Sequence, residues 1–379
     1  MDFLIQGFEN TTWQQLVMYL IGAVLIYLAI AKKLEPALLL PMGFGAILVN
    51  IPLSGALNQT MVGIGEVQGI LEWLFRVGIE ASEAMPLLLF IGIGAMIDFG
   101  PLLSNPKLIL FGAAAQFGIF ATISVAALMG FPLRDAASIG IIGAADGPTS
   151  ILVSQVLKSQ YVGAIAVAAY SYMALVPIIQ PFAIKLVTTK KERAIRMPYS
   201  PKQVSRMSRL LFPIIVTMVA GYVAPASVSL VGLLMFGNLI RESGVLGSLT
   251  DTAQNVLANL ITLLLGITIA ASMQAERFVQ VQTLMIMALG LLAFVFDTIA
   301  GVLFAKLLNV FSKQKINPMV GAAGISAFPM SARVVQRMGQ EADSQNHLLM
   351  HAVGANVAGQ IASVVAGGVI LGLVPGMLL

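Results

Sequence analysis

The chain has 379 residues, 58% of them hydrophobic and only 10% charged, with a mean hydropathy of +0.92. Soluble domains carry about 25% charged residues, so the composition excludes a soluble globular protein and describes a polytopic membrane protein. A formal net charge of +4 is too small to imply nucleic acid, and zero cysteines exclude disulfides, thiolate metal sites and cysteine nucleophiles while leaving the redox compartment open.

The N-terminal stretch MDFLIQGFENTTWQQ has neither a basic region nor a small-residue cleavage site, so no removable signal peptide is expected. A membrane-crossing helix takes about 20 apolar residues. Read with that window, the chain predicts segments near 14–31, 37–53, 84–99, 107–130, 161–187, 209–223, 226–240, 257–273, 281–306 and 348–377. Two further stretches, 136–157 and 317–337, are apolar but interrupted, and short amphipathic pieces lie near 69–80 and 246–256. The longest hydrophilic run is 188–208. From Lys185 to Arg209 there are eight Lys/Arg against the single Glu192, which puts this linker in the cytoplasm. Lys32, Lys33, Lys306, Lys313 and Lys315 mark further cytoplasmic ends, whereas the 54–83 loop, with Glu66, Glu72, Glu80 and Glu83 against Arg76, fits the outside.

The chain repeats itself at about half its length. Pro36-Ala37, Gly43 and Ser54-Gly55 recur as Pro225-Ala226, Gly232 and Ser243-Gly244, an offset of 189. Leu87-Leu88-Leu89-x-Ile91-x-Ile93-x-Ala95 recurs 176 residues on from Leu263 to Ala271. Gly140, Gly143, Pro148, Ser150, Val153 and Gln155 recur 181 residues on as Gly321, Gly324, Pro329, Ser331, Val334 and Gln336. If 136–157 dips into the membrane and returns, the basic linker falls in the cytoplasm and the second half runs opposite to the first. A broken but fully crossing helix, compensated by a non-crossing 69–99, gives inversion as well. The expected fold is therefore an all-α polytopic membrane protein of two inverted repeats, 1–187 and 209–379, joined by the 188–208 linker. Their interrupted or re-entrant helices meet near the midplane, as in secondary transporters.

The first interruption reads GAADGPTS, 143–150. Pro148 has no amide hydrogen and Gly147 resists helical order, so backbone groups lose their partners. At membrane depth such groups survive only where protein or a watery cavity surrounds them. Freed carbonyls, the carboxylate of Asp146 and the hydroxyls of Thr149 and Ser150 make the oxygen-rich set that a hard cation takes. The plainer reading of Asp146 is a cap for the half-helix that starts at Pro148. The second interruption supplies Asn317, Gly321, Gly324 and Ser326 ahead of the Pro329 break, with Arg333 on the far arm either to bind an anion or to snorkel. Asn356 lies deep in the last segment, where its amide needs a partner or ligand. His347 and His351 lie four apart on one helix face, a spacing that can hold a metal, but with no cysteine or nearby acid to complete the set they read as capping or interfacial. Tyr170 and Tyr172 follow the first motif, with packing weighed against a site role for Tyr172. Asp98 reads as interfacial. Asp297, mid-segment, is open to cation or proton handling or to pairing with a base. GxGxxG, Walker and HExxH motifs are absent.

With these residues in view, the chain resembles the β subunit of the sodium-ion-translocating, biotin-dependent decarboxylases over essentially its whole length. The resemblance is carried by GAADGPTS (143–150), SYMALVPIIQP (171–181), NPMVGAAGISAFPMSARVVQ (317–336) and HLLMHAVGANVAG (347–359). It implies a carboxybiotin decarboxylase subunit that exports Na+ with proton uptake from the inner (plasma) membrane. Asp146, Tyr172, Asn317, Ser326 and Asn356 would form the sodium and proton site, with Thr149 supporting, Gly321 shaping it and Arg333 meeting the carboxybiotin carboxylate. The implied partners are a biotin carrier subunit, a carboxyltransferase α subunit and a small membrane γ or δ subunit, in a homo-oligomer surrounded by membrane lipid. Ala355 departs from the proline expected before the asparagine, which bears on the backbone near Asn356. The chain is short for the oxaloacetate branch, favouring an acyl-CoA decarboxylase complex. The rival from another class is a stand-alone Na+/H+ antiporter or Na+/organic-anion symporter; a passive scaffold accounts poorly for the polar residues at 146, 317 and 356.

Overall fold

A computed structural model describes residues 7, 9–33, 35–61, 63–81, 83–198, 203–312 and 314–377; Lys313 and part of the basic linker lie outside the described residues. The chain enters through α1 (Trp13–Ala31), started by a capping box in which the Thr12 hydroxyl accepts from the Gln15 amide. Then come α2 (Pro36–Asn50), a small hairpin of β1 (Gln59–Met61) and β2 (Gly65–Val67), α3 (Ile70–Phe75), which ends in a π-helical turn, and α4 (Ala84–Met96). Next are α5 (Pro106–Leu128), interrupted at Gln116, and the two arms of the first broken segment, α6 (Leu133–Gly140) and α7 (Gly147–Val156). The long α8 (Val162–Val187) bends by 72° between Met173 and Leu175; Pro177 has no amide to give the Met173 carbonyl, which leaves the helix weak at that point.

The second half runs through α9 (Arg206–Val223), α10 (Val228–Ser243), α11 (Gly247–Ser272), α12 (Val281–Phe311), the single turn α13 (Met319–Ala322), α14 (Met330–Ala342) and α15 (Leu349–Met377). Among the described residues, six helices have the length and apolarity to cross a membrane, or up to eight if two bent pairs each count as one span. The piece expected as a separate amphipathic stretch at 246–256 instead continues, through a π-helical turn at Thr252–Leu257, into one helix with 257–272. At Ala355, where a proline was expected, α15 runs continuously from Leu349 to Met377.

Helices of the two halves pack on each other through small residues, the close-approach device of membrane helices. Gly45 of α2 lies against Ile267 and Ala270, and Gly266 of α11 against Leu38 and Pro41. Gly94 of α4 lies on the Leu234 carbonyl, and Gly237 of α10 on that of Ile91. The sequence repeat equates α2 with α10 and α4 with α11, so the exchange of partners is reciprocal. The breaks behave likewise. Gly140 packs on Ile119 and Ile123 and Gly321 on Gly301 and Ala305; Gly143 packs on Ala293 and Asp297 and Gly324 on Phe111 and Ala115. The matched neighbours, 119 and 301, 123 and 305, 111 and 293, 115 and 297, all differ by 182. Thus α5 and α12 are counterparts too, which the sequence comparison did not find.

Each interrupted segment returns to where it began. The Ser159 hydroxyl, just past α7, donates to Asp135 Oδ1 at the start of α6 at 2.7 Å. Asn317 and Asn346, on either side of the second segment, both donate to the carbonyls of Arg193 and Ile195.

A β-carbon at position 94 or 237 would meet backbone oxygen, and overpacking of this kind costs about 1–3 kcal/mol. Gly94→Ala and Gly237→Ala should each lower the thermal unfolding midpoint of the detergent-solubilised protein. Gly372→Ala, at a position with nothing within 4 Å, should leave it near wild type. Equal midpoints for the three variants would refute the close-crossing account.

Candidate functional site

The first break is built by a left-handed Ala145 (φ 54°) and an extended Asp146, after which Gly147 and Pro148 open α7. Proline suits a first helical turn, where its missing amide is no loss. Asp146 is the N-cap: Oδ1 accepts from the Thr149 amide at 3.3 Å and Oδ2 from the Thr149 hydroxyl at 2.8 Å. Ser150 Oγ donates back to the Asp146 carbonyl at 2.8 Å. Capping does not use up this carboxylate.

The second break meets it. The Ser326 amide donates to the Ala144 carbonyl at 3.0 Å, joining the tips of the two interrupted segments. Ser326 Oγ lies 2.7 Å from Ser363 Oγ, and Ser363 donates to Asp146 Oδ2 at 3.0 Å. Helix α15 backs this contact with a polar stripe: Asn356 Nδ2 donates to the Ile325 carbonyl at 2.6 Å, and Gln360 Nε2 donates to the Ser326 carbonyl. Asp146 is 5% exposed, and Thr149, Ser326, Asn356 and Ser363 are buried with it. Asn356 Oδ1 and the Tyr170 hydroxyl are buried without hydrogen-bond partners among the described residues, and the Tyr170 ring covers Gly147.

The structure therefore brings Asp146, Thr149 and Ser326 together, with Asn356 one residue away along the second tip. Other expected residues lie elsewhere. Tyr172 donates its hydroxyl to the Met287 carbonyl. Asn317 has its amide hydrogens on Arg193 and Ile195 and its Oδ1 on the Met319 amide at 3.0 Å. Gly321 packs on Gly301. Arg333 is exposed and lines a cavity of ≈ 540 Å³ with Lys33, Glu35 and Arg337. Asp98 caps Gly100 and faces Arg209 rather than Lys107. His351 bonds the backbone of Met197 and Pro198. Asp297 accepts the Ile119 amide at 3.2 Å, at the interruption of α5, and no ion pair among the described residues includes it.

Ser363 and Gln360 are the residues that sequence reasoning missed, and Tyr170, read as packing, lies against the first break. A signal existed: Asn356, Gln360 and Ser363 are spaced i, i+4, i+7, one face of a helix that is otherwise apolar.

No ion pair among the described residues includes Asp146. A carboxylate buried without a counter-ion is costly. Here the N-terminus of α7 and two hydroxyl donors offset part of that cost, and a small cation would offset the rest. The oxygens on hand are one carboxylate, three hydroxyls and the unpartnered amide oxygen of Asn356, all hard ligands.

A family profile described as the Na+-transporting oxaloacetate decarboxylase beta subunit matches residues 14–374. The chain belongs to this family. It is 49% identical to the methylmalonyl-CoA decarboxylase subunit beta of Propionigenium modestum over 97% of this chain and 96% of that one. The glutaconyl-CoA decarboxylase subunit beta of Acidaminococcus fermentans is 48% identical over 98% and 96%. The oxaloacetate decarboxylase beta chain of Klebsiella pneumoniae is 46% identical over 94% of each. Such full-length matches to decarboxylase β subunits set aside the stand-alone transporter that the composition and repeats had left open.

Ser363→Ala removes one charge-assisted hydrogen bond from Asp146, worth about 1.5 kcal/mol or more. The Na+ concentration that gives half-maximal thermal stabilisation of the purified protein should shift by about tenfold, one factor of ten per 1.4 kcal/mol. Ser124→Ala, on an exposed helix face, should not shift it. An unchanged Na+ response in Ser363→Ala would remove Ser363 from the site.

Proposed function

We propose that this chain is the membrane β subunit of a sodium-pumping decarboxylase and that it couples decarboxylation of carboxybiotin, carried on a partner subunit, to Na+ export with proton uptake. The observation that carries the proposal is the Asp146 carboxylate, held by Thr149 and Ser363 where two interrupted segments touch, buried and without a counter-ion.

The two returning segments enter from opposite faces in this reading. Lys33, the linker and Lys306 fix the cytoplasmic side by the positive-inside rule. The segment 317–342 then dips in from the cytoplasm and 133–157 from outside. Ten residues of α7 span about 15 Å, half of a hydrocarbon core of about 30 Å, so their tips meet at mid-depth.

The cavity lined by Arg333, Arg337 and Lys33 faces the cytoplasm and suits an anionic head. Arginine offers a carboxylate two parallel N–H donors, so Arg333 would hold the carboxybiotin carboxylate. Biotin itself, borne by the carrier subunit, supplies the labile carboxyl group. One proton and carboxybiotin give biotin and carbon dioxide, and that proton is drawn through the site that releases Na+. Asp146 serves one cation at a time, so protonation of its carboxylate and loss of Na+ are the same event. Tyr172, on the bent α8 with Tyr170, lies on the proton's side of this exchange. Rocking of the two halves exposes Asp146 to one face at a time.

The proposed assembly includes the biotin carrier, the carboxyltransferase α subunit, a small γ or δ subunit and further copies of this chain, in the inner membrane. Among feeder acids, acyl-CoA substrates are favoured. The alignment with the oxaloacetate decarboxylase chain stretches over 410 positions, against 384 and 370 for the two acyl-CoA decarboxylase subunits, so this chain lacks a stretch that the former carries.

Purified native complex should show a biotinylated partner on a streptavidin blot and Na+-dependent decarboxylation of methylmalonyl-CoA or glutaconyl-CoA in preference to oxaloacetate or malonate. Asp146→Asn should abolish both that activity and 22Na+ uptake into inverted vesicles. A variant that still pumps at the wild-type rate would sink the proposal.

A further inference from the structure

The resemblance assigns Asn317 to the ion site, but the geometry gives it a different partner. Asn317 Nδ2 donates to the Arg193 carbonyl at 2.9 Å and the Ile195 carbonyl at 2.8 Å. Asn346 Nδ2 donates to the same two oxygens at 3.1 Å each. An amide NH2 has two hydrogens and a carbonyl oxygen two lone pairs. Two amides on two carbonyls therefore form a closed set in which every donor and every lone pair is used. Both asparagines are fully buried, where breaking such a set strands several polar groups at about 1–3 kcal/mol each.

These residues stand at the two roots of the cytoplasmic interrupted segment, ahead of α13 and after α14. The carbonyls belong to the basic linker, at and just past the end of its short helix Lys190–Arg193. Neighbouring contacts run the same way. Arg196 makes a forked pair with Asp343 at 2.5 and 2.9 Å, and this guanidinium holds the Asp343 carboxyl below the usual aspartate range. Arg196 also donates to Gln345 at 3.1 Å, the Asn317 amide lies 3.2 Å from Met197 Sδ, and Lys306 pairs with Glu192 at 2.9 Å.

We propose that Asn317 and Asn346 are paired positioning residues that clamp residues 193–195 of the linker to both roots of the 317–342 segment, so that linker and segment move as one body. The inference rests on the function proposed above, in which the linker lies on the face that the biotin carrier approaches. That segment carries Arg333 on one arm and Ser326 at its tip. A displacement of the linker by a docked partner is then delivered to the Asp146 site through a rigid element, with no contact between partner and ion. The clamp also leaves Asn317 no free amide hydrogen and only one lone pair, so its effect on Na+ is indirect.

The test uses the whole complex. Asn317→Ala and Asn346→Ala should each lower the decarboxylation rate about tenfold while half-saturating Na+ stays within about twofold, a split that separates positioning from ligand binding. The double variant should be no more than about twofold slower than either single, because both act on one strand. Since the chain has no cysteine, Arg196→Cys with Asp343→Cys places this chain's only two thiols across the exposed edge of the clamp. Joining them with a short bismaleimide should leave turnover within about twofold and restore most of the rate lost in Asn346→Ala. The clamp is overturned if Asn317→Ala raises half-saturating Na+ about tenfold while Asn346→Ala is silent, or if the cross-link stops turnover. The cross-link arm holds even if an asparagine variant fails to fold. Failure of the underlying function reads out separately, as wild-type pumping by Asp146→Asn.

Discussion

A chain in hydrocarbon cannot leave backbone amides and carbonyls unpaired, and this protein breaks two helices at the place where that rule is hardest to satisfy. Much else in the molecule follows from how the debt is met. The Ala144 carbonyl, freed by the first break, takes the Ser326 amide, freed by the second. The carbonyls on either side of that amide are taken by Asn356 and Gln360 of α15. Breaks that answer each other in this way need little water and no lipid. They also fix the two tips against one another to within a hydrogen bond.

The chemistry at Asp146 is a consequence of this arrangement. A helix that starts at mid-depth needs a cap, and an aspartate fills that role with two oxygens where one would do. Its second oxygen then faces hydroxyls from Thr149 and Ser363 and no base. In the proposed function the cap and the ion ligand are one group in two roles. That economy also explains why neutral ligands dominate around it: a second carboxylate would repel the first, and a lysine or arginine would occupy the place of the cation permanently.

Much of this was legible in the sequence, for physical reasons. Apolar runs near 20 residues mark spans because length is dictated by the bilayer, and GAADGPTS marks a break because Asp-Gly-Pro suits the start of a helix better than its interior. The matching glycines at 140, 143, 321 and 324 were visible as a repeat, since close approach tolerates no other residue there. The relation of α5 to α12 was not, because lipid-facing positions accept any large apolar side chain and only the contacts preserve the 182-residue offset. Ser363 and Gln360 were hidden for another reason: each alone is unremarkable in a helix, and their weight comes from lying on the Asn356 face. Asn317 was read together with its motif, and its bonding could not be read from there. Its side chain is turned toward the linker, and the local sequence contains nothing that reveals the Arg193 and Ile195 carbonyls waiting there.

The reciprocal packing bears on how such a site can open to one side and then the other. Each half lays its glycines on helices of the other half, so neither break is carried by its own repeat alone: Gly143 rides on α12 and Gly324 on α5. In the rocking motion proposed above, both breaks would therefore be loaded together. The cavity beneath the cytoplasmic arm is basic, with Lys33, Arg333 and Arg337 against Glu35. The cavity of ≈ 770 Å³ beside the outer arm is balanced, with Glu72 and Glu80 against Lys158 and Arg277. In the function proposed above, an arriving anion is attracted at the basic mouth, and its charge would reach the Asp146 site through α14 and the tip at Ser326 rather than by touching the ion.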